Sequence, residues 1–375
     1  MAERATIHDV ARAAGVSHQT VSNVLNGRAR VGAAARDRVN TAIDELGYRP
    51  HAGAASLRTR RAGRLAYPLT ASDHGPTNTI MLEFLQALTS AAARHGRHLV
   101  LAEDGPDDRL AGVLRLVRSG EVDGVVLTNV VADDPRVAVL SRARVPFACF
   151  GRTGAGQPQC WVDVDNRAGT RVMTERLVGF GHERVAFLGY APQGRWDEER
   201  EAGYRDAMRS AGLRPQVSTP DPEGPDVARA ITRLLESPAS AIVTGSDVLA
   251  AALCAAATAR GLTLGPSPSP SPSAAPSPSA GPSADPFPSA GASPSPSSDR
   301  SAAPPPPGAR AAALAVTGFD GSVVGRLLTP ALTTVAIPLP EIAERVVRRV
   351  LAEIDGPTTA GGEILAPGLI EGSTG

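Results

Sequence analysis

The sequence contains no lysine, so all 38 of its basic residues are arginine. This usage is typical of a GC-rich genome, and the planar guanidinium also suits bidentate contact with phosphate. Cysteine is scarce: Cys149, Cys160 and Cys254 lack metal-ligand spacing and indicate core thiols in a reducing compartment. The chain has neither an apolar run long enough to cross a membrane nor the apolar region of a signal peptide. These absences predict a soluble cytoplasmic protein with no metal, cofactor or membrane partner.

Charge is distributed unevenly, although the formal net charge is zero. Residues 1–64 contain eleven arginines and five acidic residues. This leaves a net charge of about +6 on a short segment, which is typical of a surface that binds a polyanion such as nucleic acid. A chain of 375 residues has room for two or three domains.

Residues 6–26, TIHDVARAAGVSHQTVSNVLN, have the apolar periodicity of two short helices. The apolar positions are Ile7, Val10, Ala11 and Ala14 in the first helix and Val21, Val24 and Leu25 in the second. Gly15 breaks the first helix, and Ser17 can cap the second. Two short helices joined by a tight glycine-containing turn predict a helix-turn-helix, whose second helix can enter the DNA major groove.

The predicted exposed face of the second helix carries short or planar hydrogen-bonding side chains. They are His18, Gln19, Ser22, Asn23 and Asn26. A merely solvated helix would carry charged pairs, so this face favours DNA reading over the alternative, an ordinary helical hairpin in a core. A third helix is predicted over Ala33–Leu46, ending at Gly47. Residues 1–50 then form a headpiece, and residues 51–63 form a hinge or linker that orders only when something binds it.

From Leu65 onward the pattern changes to alternating strands and helices. The predicted strands are Leu65–Leu69, His98–Ala102, Gly124–Leu127, Pro146–Phe150, Arg184–Gly189, Ala241–Thr244 and Ala313–Gly318. The predicted helices include Thr79–His95, Ala168–Phe180, Asp197–Ala211, Val227–Glu236 and Ser246–Arg260. This alternation predicts parallel sheets covered by helices, arranged as two similar lobes with a cleft between them. A ligand in such a fold sits at the carboxyl ends of the strands.

Residues 265–309 do not fit this alternation. They are almost entirely proline, serine, alanine and glycine, with Phe287 as the one large apolar side chain. Such a composition predicts disorder, because too little apolar surface can be buried to offset the entropy of ordering. We interpret the segment as a tolerated surface insertion; a regulatory or partner-binding role is the alternative.

The chain resembles the LacI/GalR family of bacterial transcriptional repressors over its whole length except residues 265–309. The headpiece residues that carry the resemblance are TIHDVARAAGVSHQTVSNVLNG, Val31, Arg36, Arg38, Val39 and Glu45–Pro50. The body residues are Val164–Asn166, Gly181–Val185, Arg200–Tyr204, Gly245–Asp247, Gly318–Asp320 and Leu332–Val335. The resemblance implies a small all-α helix-turn-helix headpiece plus an α/β two-lobed periplasmic-binding-protein-like body over residues 64–375. It also implies a homodimer, sometimes a tetramer, that binds a palindromic operator and senses a small molecule, usually a sugar.

The resemblance assigns base reading to His18, Gln19 and Asn23. Glutamine and asparagine pair bidentately with adenine, and histidine can donate to guanine acceptors. The residues predicted to contact phosphate are Thr6, Ser17, Thr20, Ser22, Asn26 and Arg30, with partial burial as the alternative for Thr20. Leu57 matches the hinge leucine that wedges into the minor groove, with simple packing as the alternative. His51, where asparagine is usual, can still contact phosphate.

Arg200, Asp247 and Asp320 match positions that hold sugar hydroxyls in the family, and such groups can each satisfy two adjacent hydroxyls. Trp196, one turn before Arg200, could stack on the apolar face of a pyranose. The further effector-binding candidates are Arg152, Asp165, Asn166 and Ser246. For each of these cleft candidates, including Arg200 and Asp320, the alternative is a surface or interdomain ion pair. Gly151 and Ser246 depart from the family pattern, so the identity of the effector does not carry over.

Three other functions are weighed against a repressor. An enzyme is disfavoured because the chain has no glycine-rich phosphate loop, nucleophile elbow or metal cluster, and no catalytic residue is assigned. A transport binding protein is disfavoured by the headpiece and the missing signal peptide. A regulator or activator that senses a non-sugar ligand or a protein partner stays open, as does the choice between an inducer and a corepressor.

Overall fold

The computed structural model describes residues 5–25, 31–48, 61–69, 79–103, 110–154, 156–157, 159–222, 225–266, 313–356 and 360–375. Its helices are α1 Ile7–Ala14, α2 His18–Leu25, α3 Ala33–Glu45, α4 Thr79–Arg94, α5 Ala111–Arg118, α6 Pro135–Arg142, α7 Asn166–Gly179, α8 Arg195–Ser210, α9 Asp226–Glu236, α10 Asp247–Ala259, α11 Val323–Leu327 and α12 Leu339–Asp355. Its strands are β1 Arg64–Leu69, β2 His98–Glu103, β3 Gly124–Leu127, β4 Phe147–Phe150, β5 Cys160–Val164, β6 Val185–Leu188, β7 Gln216–Ser218, β8 Ala241–Thr244, β9 Thr263–Leu264, β10 Ala313–Asp320, β11 Thr333–Ala336, β12 Gly361–Leu365 and β13 Gly368–Ile370.

The first three helices form the headpiece, and their apolar faces meet in one small core. Its buried members are Val10, Ala11, Ala14, Val21, Val39 and Ala42. Gly15 ends α1 in the left-handed region at φ 63°, where glycine has no steric penalty, and so turns the chain into α2. The Arg38 side chain of α3 donates to the carbonyl of Ala14 at 3.1 Å and ties α3 to this turn. The predicted helix-turn-helix is confirmed.

The first lobe of the body is a six-stranded parallel sheet in the order β12-β5-β4-β3-β1-β2. Helices α4 and α12 cover one face, where Phe84 and Val346 are fully buried. Helices α5 and α6 cover the other face, where Val113 and Leu140 are fully buried. Apolar residues therefore point to both faces of the strands, as a parallel sheet with helices on each side requires.

The second lobe contains a sheet in the order β13-β11-β10-β8-β6-β7, and β9 pairs with β10 at one end. Its neighbouring strands are parallel except β13, which runs antiparallel to β11. Helices α9 and α10 pack on one face, and α7 and α8 pack on the other. The carboxyl ends of β6, β8 and β10 therefore lie at one edge of this sheet, next to the starts of the helices that follow them.

The chain passes between the lobes three times. It leaves the first sheet after β5 to enter α7, returns after β11 to enter α12, and crosses again between β12 and β13. Short connections of this kind can absorb the backbone rotation of a hinge while each lobe stays rigid. The predicted two-lobed body is confirmed. Residues 164–166 and 336–339 lie at two of the crossings, and we call the space between the lobes beside them the cleft.

Several elements were not predicted from the sequence. Strands β5, β7, β9, β11, β12 and β13 and helices α5, α6, α11 and α12 fall in this group. The predicted strand Ala313–Gly318 continues to Asp320, because Phe319 and Asp320 pair with Val335 and Ala336 of β11. The three cysteines are buried free thiols. Within the described ranges, no helix is both long enough and apolar enough to span a membrane.

Candidate nucleic-acid interface and ligand cleft

The exposed face of α2 presents the predicted base-reading groups together. His18 and Gln19 are exposed at the start of the helix, and the Gln19 Nε2 group donates to Asn23 Oδ1 at 3.3 Å, one turn later. The rings of His8 and His18 lie 5.5 Å apart between centroids, which sets His18 against α1. The face thus offers an imidazole and two coupled amides, groups that can pair with the edges of guanine and adenine.

The predicted phosphate-contacting residues of the headpiece also have structural roles. Ser17 caps α2, because its Oγ accepts from the N–H of Thr20 at 3.1 Å and lies 2.9 Å from Thr20 Oγ1. Thr6 caps α1 in a capping box with Asp9, whose carboxylate accepts from the Thr6 N–H at 3.0 Å and from the Thr6 hydroxyl at 2.7 Å. These hydrogen bonds hold the pKa of Asp9 below its ordinary value. DNA contact by these residues stays a prediction.

Four predicted DNA-contacting residues lie outside the described residues. They are Asn26, Arg30, His51 and Leu57. Most of the predicted hinge at residues 51–63 and most of the predicted insertion at residues 265–309 lie outside them too. Their assignments stay predictions.

Arg200 lies at the centre of a group of second-lobe residues that we call the cleft floor, together with Asn166, Phe319 and Asp320. It is buried on α8, where its Nε donates to Asn166 Oδ1 at 2.9 Å and its Nη1 donates to the carbonyl of Gly245 at 2.6 Å. The same Nη1 lies 3.5 Å from Asp320 Oδ1, and the guanidinium stacks 3.8 Å from the ring centroid of Phe319. Arg200 therefore joins the starts of α7 and α10 to the end of β10. Three of the predicted effector-binding residues, Arg200, Asn166 and Asp320, lie in contact with one another through these bonds.

Asp320 ends β10 in an unusual backbone conformation, with φ 126°. A non-glycine residue rarely occupies this region, and such strain is concentrated at functional sites. Burial raises the pKa of Asp320 to about 8; the neighbouring carboxylates of Asp247 and Glu83 push it upward, and Arg200 opposes them. A carboxyl group that holds its proton near neutrality can both donate to and accept from a hydroxyl.

Asp247 lies beneath this floor and is fully buried. Its carboxylate accepts from the N–H and the hydroxyl of Ser322 at 2.7 and 2.9 Å and from the hydroxyl of Thr334. A Cβ at Gly318 would collide with Asp247 Oδ1, so glycine is required there. Asp247 thus fixes the loop that follows Asp320; direct contact with an effector stays a prediction.

Two further predicted effector residues cap helices at the cleft. Asp165 accepts from the N–H of Ala168 at 2.8 Å and caps α7, and Ser246 accepts from the N–H of Leu249 at 3.2 Å and caps α10. Trp196 is half-buried in the first turn of α8, with its ring packed over Gly194. A stacking role for Trp196 and effector contacts for Asp165 and Ser246 stay predictions.

Arg152 joins the two lobes. Its Nε donates to Asp163 of the first lobe at 2.8 Å, and its Nη2 donates to both carboxylate oxygens of Glu199 on α8 at 2.8 and 2.7 Å. The guanidinium also lies 5.3 Å from the ring centroid of Trp161. Burial raises the pKa of Asp163, although the Arg152 charge opposes this. The interdomain ion pair considered as the alternative for Arg152 is therefore present.

A second contact between the lobes comes from α4. Glu83 Oε1 accepts from the N–H of Val323 at 2.8 Å, at the start of α11, and Glu83 Oε2 lies 4.0 Å from Arg326. Sequence reasoning missed Glu83, Asp163, Glu199 and Phe319. Phe319 and Glu199 are adjacent to the motif residues Asp320 and Arg200, a signal that could have identified them; Glu83 has no such signal.

Comparison with known families gives matches in the headpiece and the body. The family described as bacterial regulatory proteins, lacI family, matches residues 6–51. The family described as periplasmic binding proteins and sugar binding domain of LacI family matches residues 74–267, which is more than half of the chain. A periplasmic binding protein-like domain matches residues 312–374.

Individual relatives agree with these matches. The HTH-type transcriptional regulator RafR of Escherichia coli is 30% identical over 242 residues, which span 64% of this chain and 72% of RafR. The transcriptional regulator CelR in complex with cellobiose has a TM-score of 0.63 at 26% identity, over 99% of this chain and 100% of CelR. The lac repressor dimer bound to operator and the anti-inducer ONPF shares the fold, with a TM-score of 0.73 at 21% identity over 99% of each chain. The chain belongs to the LacI family of bacterial transcriptional regulators.

Proposed function

We propose that the chain is a repressor that binds a palindromic DNA operator as a homodimer and is controlled by a sugar. The observation that carries this proposal is that one chain contains both functional parts. Helix α2 exposes an imidazole and two amides, and the cleft between the two lobes has Arg200 and Asp320 on its floor. The lac repressor structure, a dimer on operator, and the CelR structure with cellobiose support the two halves of the proposal.

The headpiece reads DNA with α2 in the major groove. His18, Gln19 and Asn23 contact base edges, while Thr6 and Ser17 lie at helix N-termini, where hydroxyls and backbone N–H groups suit phosphate. The proposed domains are residues 1–50 for the headpiece, 51–63 for the hinge and 64–375 for the body. A palindromic site follows from two-fold symmetry, because each headpiece of a dimer reads one half-site.

The cleft binds the effector between the lobes. Arg200, Asn166 and Asp320 are positioned to hold hydroxyls, since a guanidinium donates in a fork and a carboxyl group bonds two neighbouring hydroxyls. Asp247 positions the Asp320 loop from below, through Ser322.

Control of DNA binding comes from movement of one lobe relative to the other about the three chain crossings. These crossings are distinct from the proposed hinge segment at residues 51–63. An effector that touches both lobes favours one lobe arrangement, and it shifts the operator affinity only by the difference in its own affinity for the two arrangements. Arg152 and Glu199 contact each other across the cleft in the arrangement described here. We infer that the chain works in the cytoplasm, on nucleoid DNA, and that it has no catalytic activity, because its relatives are regulators.

Operator selection tests this proposal. Full-length protein is used to select binding sequences from a random duplex library, and the selected site is then titrated at several salt concentrations. We expect a palindrome with affinity that falls steeply with salt, and a thermal-shift screen of sugars should find one that also changes operator affinity. A selection that yields no common sequence would contradict the DNA half, and a sugar screen with no change in melting would contradict the effector half.

A further inference from the structure

Charge in the first lobe differs between the two edges of its sheet. Five arginines lie at the edge where the strands begin, and we call them the basic edge: Arg64, Arg115, Arg118, Arg142 and Arg144. The opposite edge, where the strands end beside the cleft, carries Glu103, Asp133, Asp163 and Asp165. The arginines described there, Arg136 and Arg152, are both paired with acids. Positive charge in the described part of this lobe thus lies mainly at the edge away from the cleft.

The five arginines of the basic edge form no ion pair with any residue that the structure describes. Their neighbours do form ion pairs, namely Arg61–Asp355, Arg94–Glu344 and Arg97–Asp123. The exposed acid Glu121 lies close by, and it accepts from the Ser119 hydroxyl at 2.7 Å. The basic edge therefore keeps its positive charge available for a partner outside the chain.

The helix dipole explains only part of this arrangement. Arg115 and Arg118 lie in the last turn of α5 and Arg142 lies in the last turn of α6, where positive side chains are generally favourable. Arg64 begins β1, and Arg144 lies in the turn that follows α6, so these two are outside any helix. Their presence in the same row needs a further reason.

Arg144 occupies a backbone position that favours glycine. Its φ is 53°, and the N–H of Val145 donates to the Leu140 carbonyl at 3.0 Å to close the turn after α6. The corresponding turns after α4 and α5 have Gly96 at φ 64° and Gly120 at φ 69°. Arginine is strained in this left-handed region, and residues held under strain cluster at functional sites. A strained residue with an exposed side chain indicates a role for its guanidinium.

The basic edge surrounds the point at which the chain enters the body from the headpiece. Arg61 donates to Asp355 at the end of α12 at 2.6 Å, and the N–H groups of Ala62 and Gly63 donate to Asp123 at 2.6 and 2.7 Å. The last described headpiece residue is Tyr48, and residues 49–60 can span at most about 45 Å. This edge is therefore the part of the body that is tethered most directly to a duplex held by the headpiece.

We propose that the basic edge is a second DNA-contacting surface, which binds phosphates of the same duplex that the headpiece reads. The inference rests on the proposed function, because it takes α2 as the DNA-reading helix. Strands β4, β3, β1 and β2 begin side by side, so their starts span about 15 Å at the usual strand spacing. The DNA major groove is about 12 Å wide, so guanidiniums along this edge can pair with phosphates on both sides of one groove. Such contacts add affinity without adding sequence preference.

The salt dependence of operator binding tests the proposal with the full-length protein. The duplex is the selected operator with one helical turn of flanking DNA on each side. The variant combines Arg115→Gln, Arg118→Gln, Arg142→Gln and Arg144→Gly. We expect the slope of log affinity against log salt to become shallower by at least about 1.8, because a dimer loses at least one phosphate contact per protomer at about 0.9 each. The preferred sequence should not change.

A second-lobe variant is the matched control for the loss of charge. It replaces four exposed arginines with glutamine: Arg209, Arg214, Arg233 and Arg260. We expect this variant to keep the original slope. Equal slopes in the unmodified protein and the basic-edge variant, or equal losses in the two variants, would overturn this inference and leave operator binding standing. An unmodified protein that selects no operator would contradict the proposed function, and this inference with it.

Arg144→Gly alone distinguishes a DNA contact from a structural role. Glycine relieves the left-handed strain, so the melting temperature should not fall. We nevertheless expect the operator slope to become shallower by about 1.8, since a dimer loses two phosphate contacts. A slope equal to that of the unmodified protein would overturn the assignment of Arg144 to the DNA-contacting surface.

Discussion

Two amide side chains on α2, Gln19 and Asn23, lie on the surface that we propose reads DNA. The hydrogen bond from Gln19 to Asn23 restrains both side chains before DNA arrives, which lowers the entropy lost on binding. Gln19→Ala or Asn23→Ala should therefore relax sequence preference at one base pair of each half-site and cost about 1–3 kcal/mol there.

The measurement is a titration of operators that carry single base-pair changes. Asn40→Ala removes an exposed asparagine from α3 and serves as the control, with no change in specificity expected. A loss of affinity that is equal on every sequence would assign Gln19 or Asn23 to phosphate positioning instead.

Asp320 should make the stability of the protein depend on pH. Its pKa is about 8 in the folded chain and 3.8 by the ordinary value, so the folded state binds more protons between these limits. The contribution of Asp320 to stability is therefore largest at the acidic end and is lost as pH rises through 8, by at most about 1.4 kcal/mol per pH unit for one proton. Asp320→Asn should flatten this decrease, as measured by chemical denaturation from pH 5 to 8.5. The exposed Asp133→Asn should retain it, and identical slopes in all three proteins would contradict the assignment.

The sequence predicted the residues of the cleft better than their partners. Arg200 and Asp320 were identified by their motifs, and they do meet. Asp247 was identified in the same way, yet its carboxylate turns inward to Ser322 and Thr334, which are 75 and 87 residues away. Glu83 contacts Val323 across 240 residues. Side-chain direction and long-range partners depend on the packing of whole lobes, which local patterns do not contain.

At the scale of elements, the stability of the first turn of α1 depends on the hydroxyl of its N-cap residue, Thr6. Thr6→Ala removes the side-chain half of the capping box and should destabilise the headpiece by about 0.5–2 kcal/mol, while Thr6→Ser should preserve it. Amide hydrogen exchange of α1 in the full-length protein measures this effect. Thr41→Ala, at an exposed helical threonine whose hydroxyl only donates to the Asp37 carbonyl, is the control. Equal exchange in the alanine and serine variants at position 6 would disprove the cap.

The elements that were predicted are those with a clear period or a continuous apolar run. Strands β3 and β8 match their predicted bounds, and α4 differs by one residue at its end. Strand β12 contains two glycines and a glutamate and has an alternating exposed pattern, so its sequence resembles a loop. Helix α12 is different, because its buried Ile342, Val346 and Val350 follow the helical period and could have been recognised.

At the scale of the molecule, the pairing of β9 with β10 determines what the segment between them must span. Thr263 lies opposite Ala313, Leu264 lies opposite Leu314, and the Gly265 N–H donates to the Leu314 carbonyl at 3.1 Å. The described residues on either side of 267–312 are therefore neighbours. Replacing this segment with six glycine and serine residues should leave operator and effector binding unchanged and stabilise the fold by up to about 2 kcal/mol, through a smaller loop-closure entropy.

Calorimetry and operator titration of the shortened protein measure these quantities. A scrambled segment of the same length and composition is the control, and it should behave as the original. Loss of the folded state or of operator binding in the shortened protein would show that the segment does more than connect two strands.

The position of the two tryptophans gives the molecule an optical property. Trp161 lies in β5 of the first lobe, beside Arg152, and Trp196 lies in α8 of the second lobe, three residues before Glu199. The chain has no other tryptophan, so its tryptophan emission comes from one indole in each of the two lobes that the Arg152–Glu199 ion pair joins. Separation of the lobes would break the Arg152–Glu199 ion pair beside Trp161, so we expect hinge motion to appear in the unlabelled protein as a shift in emission wavelength.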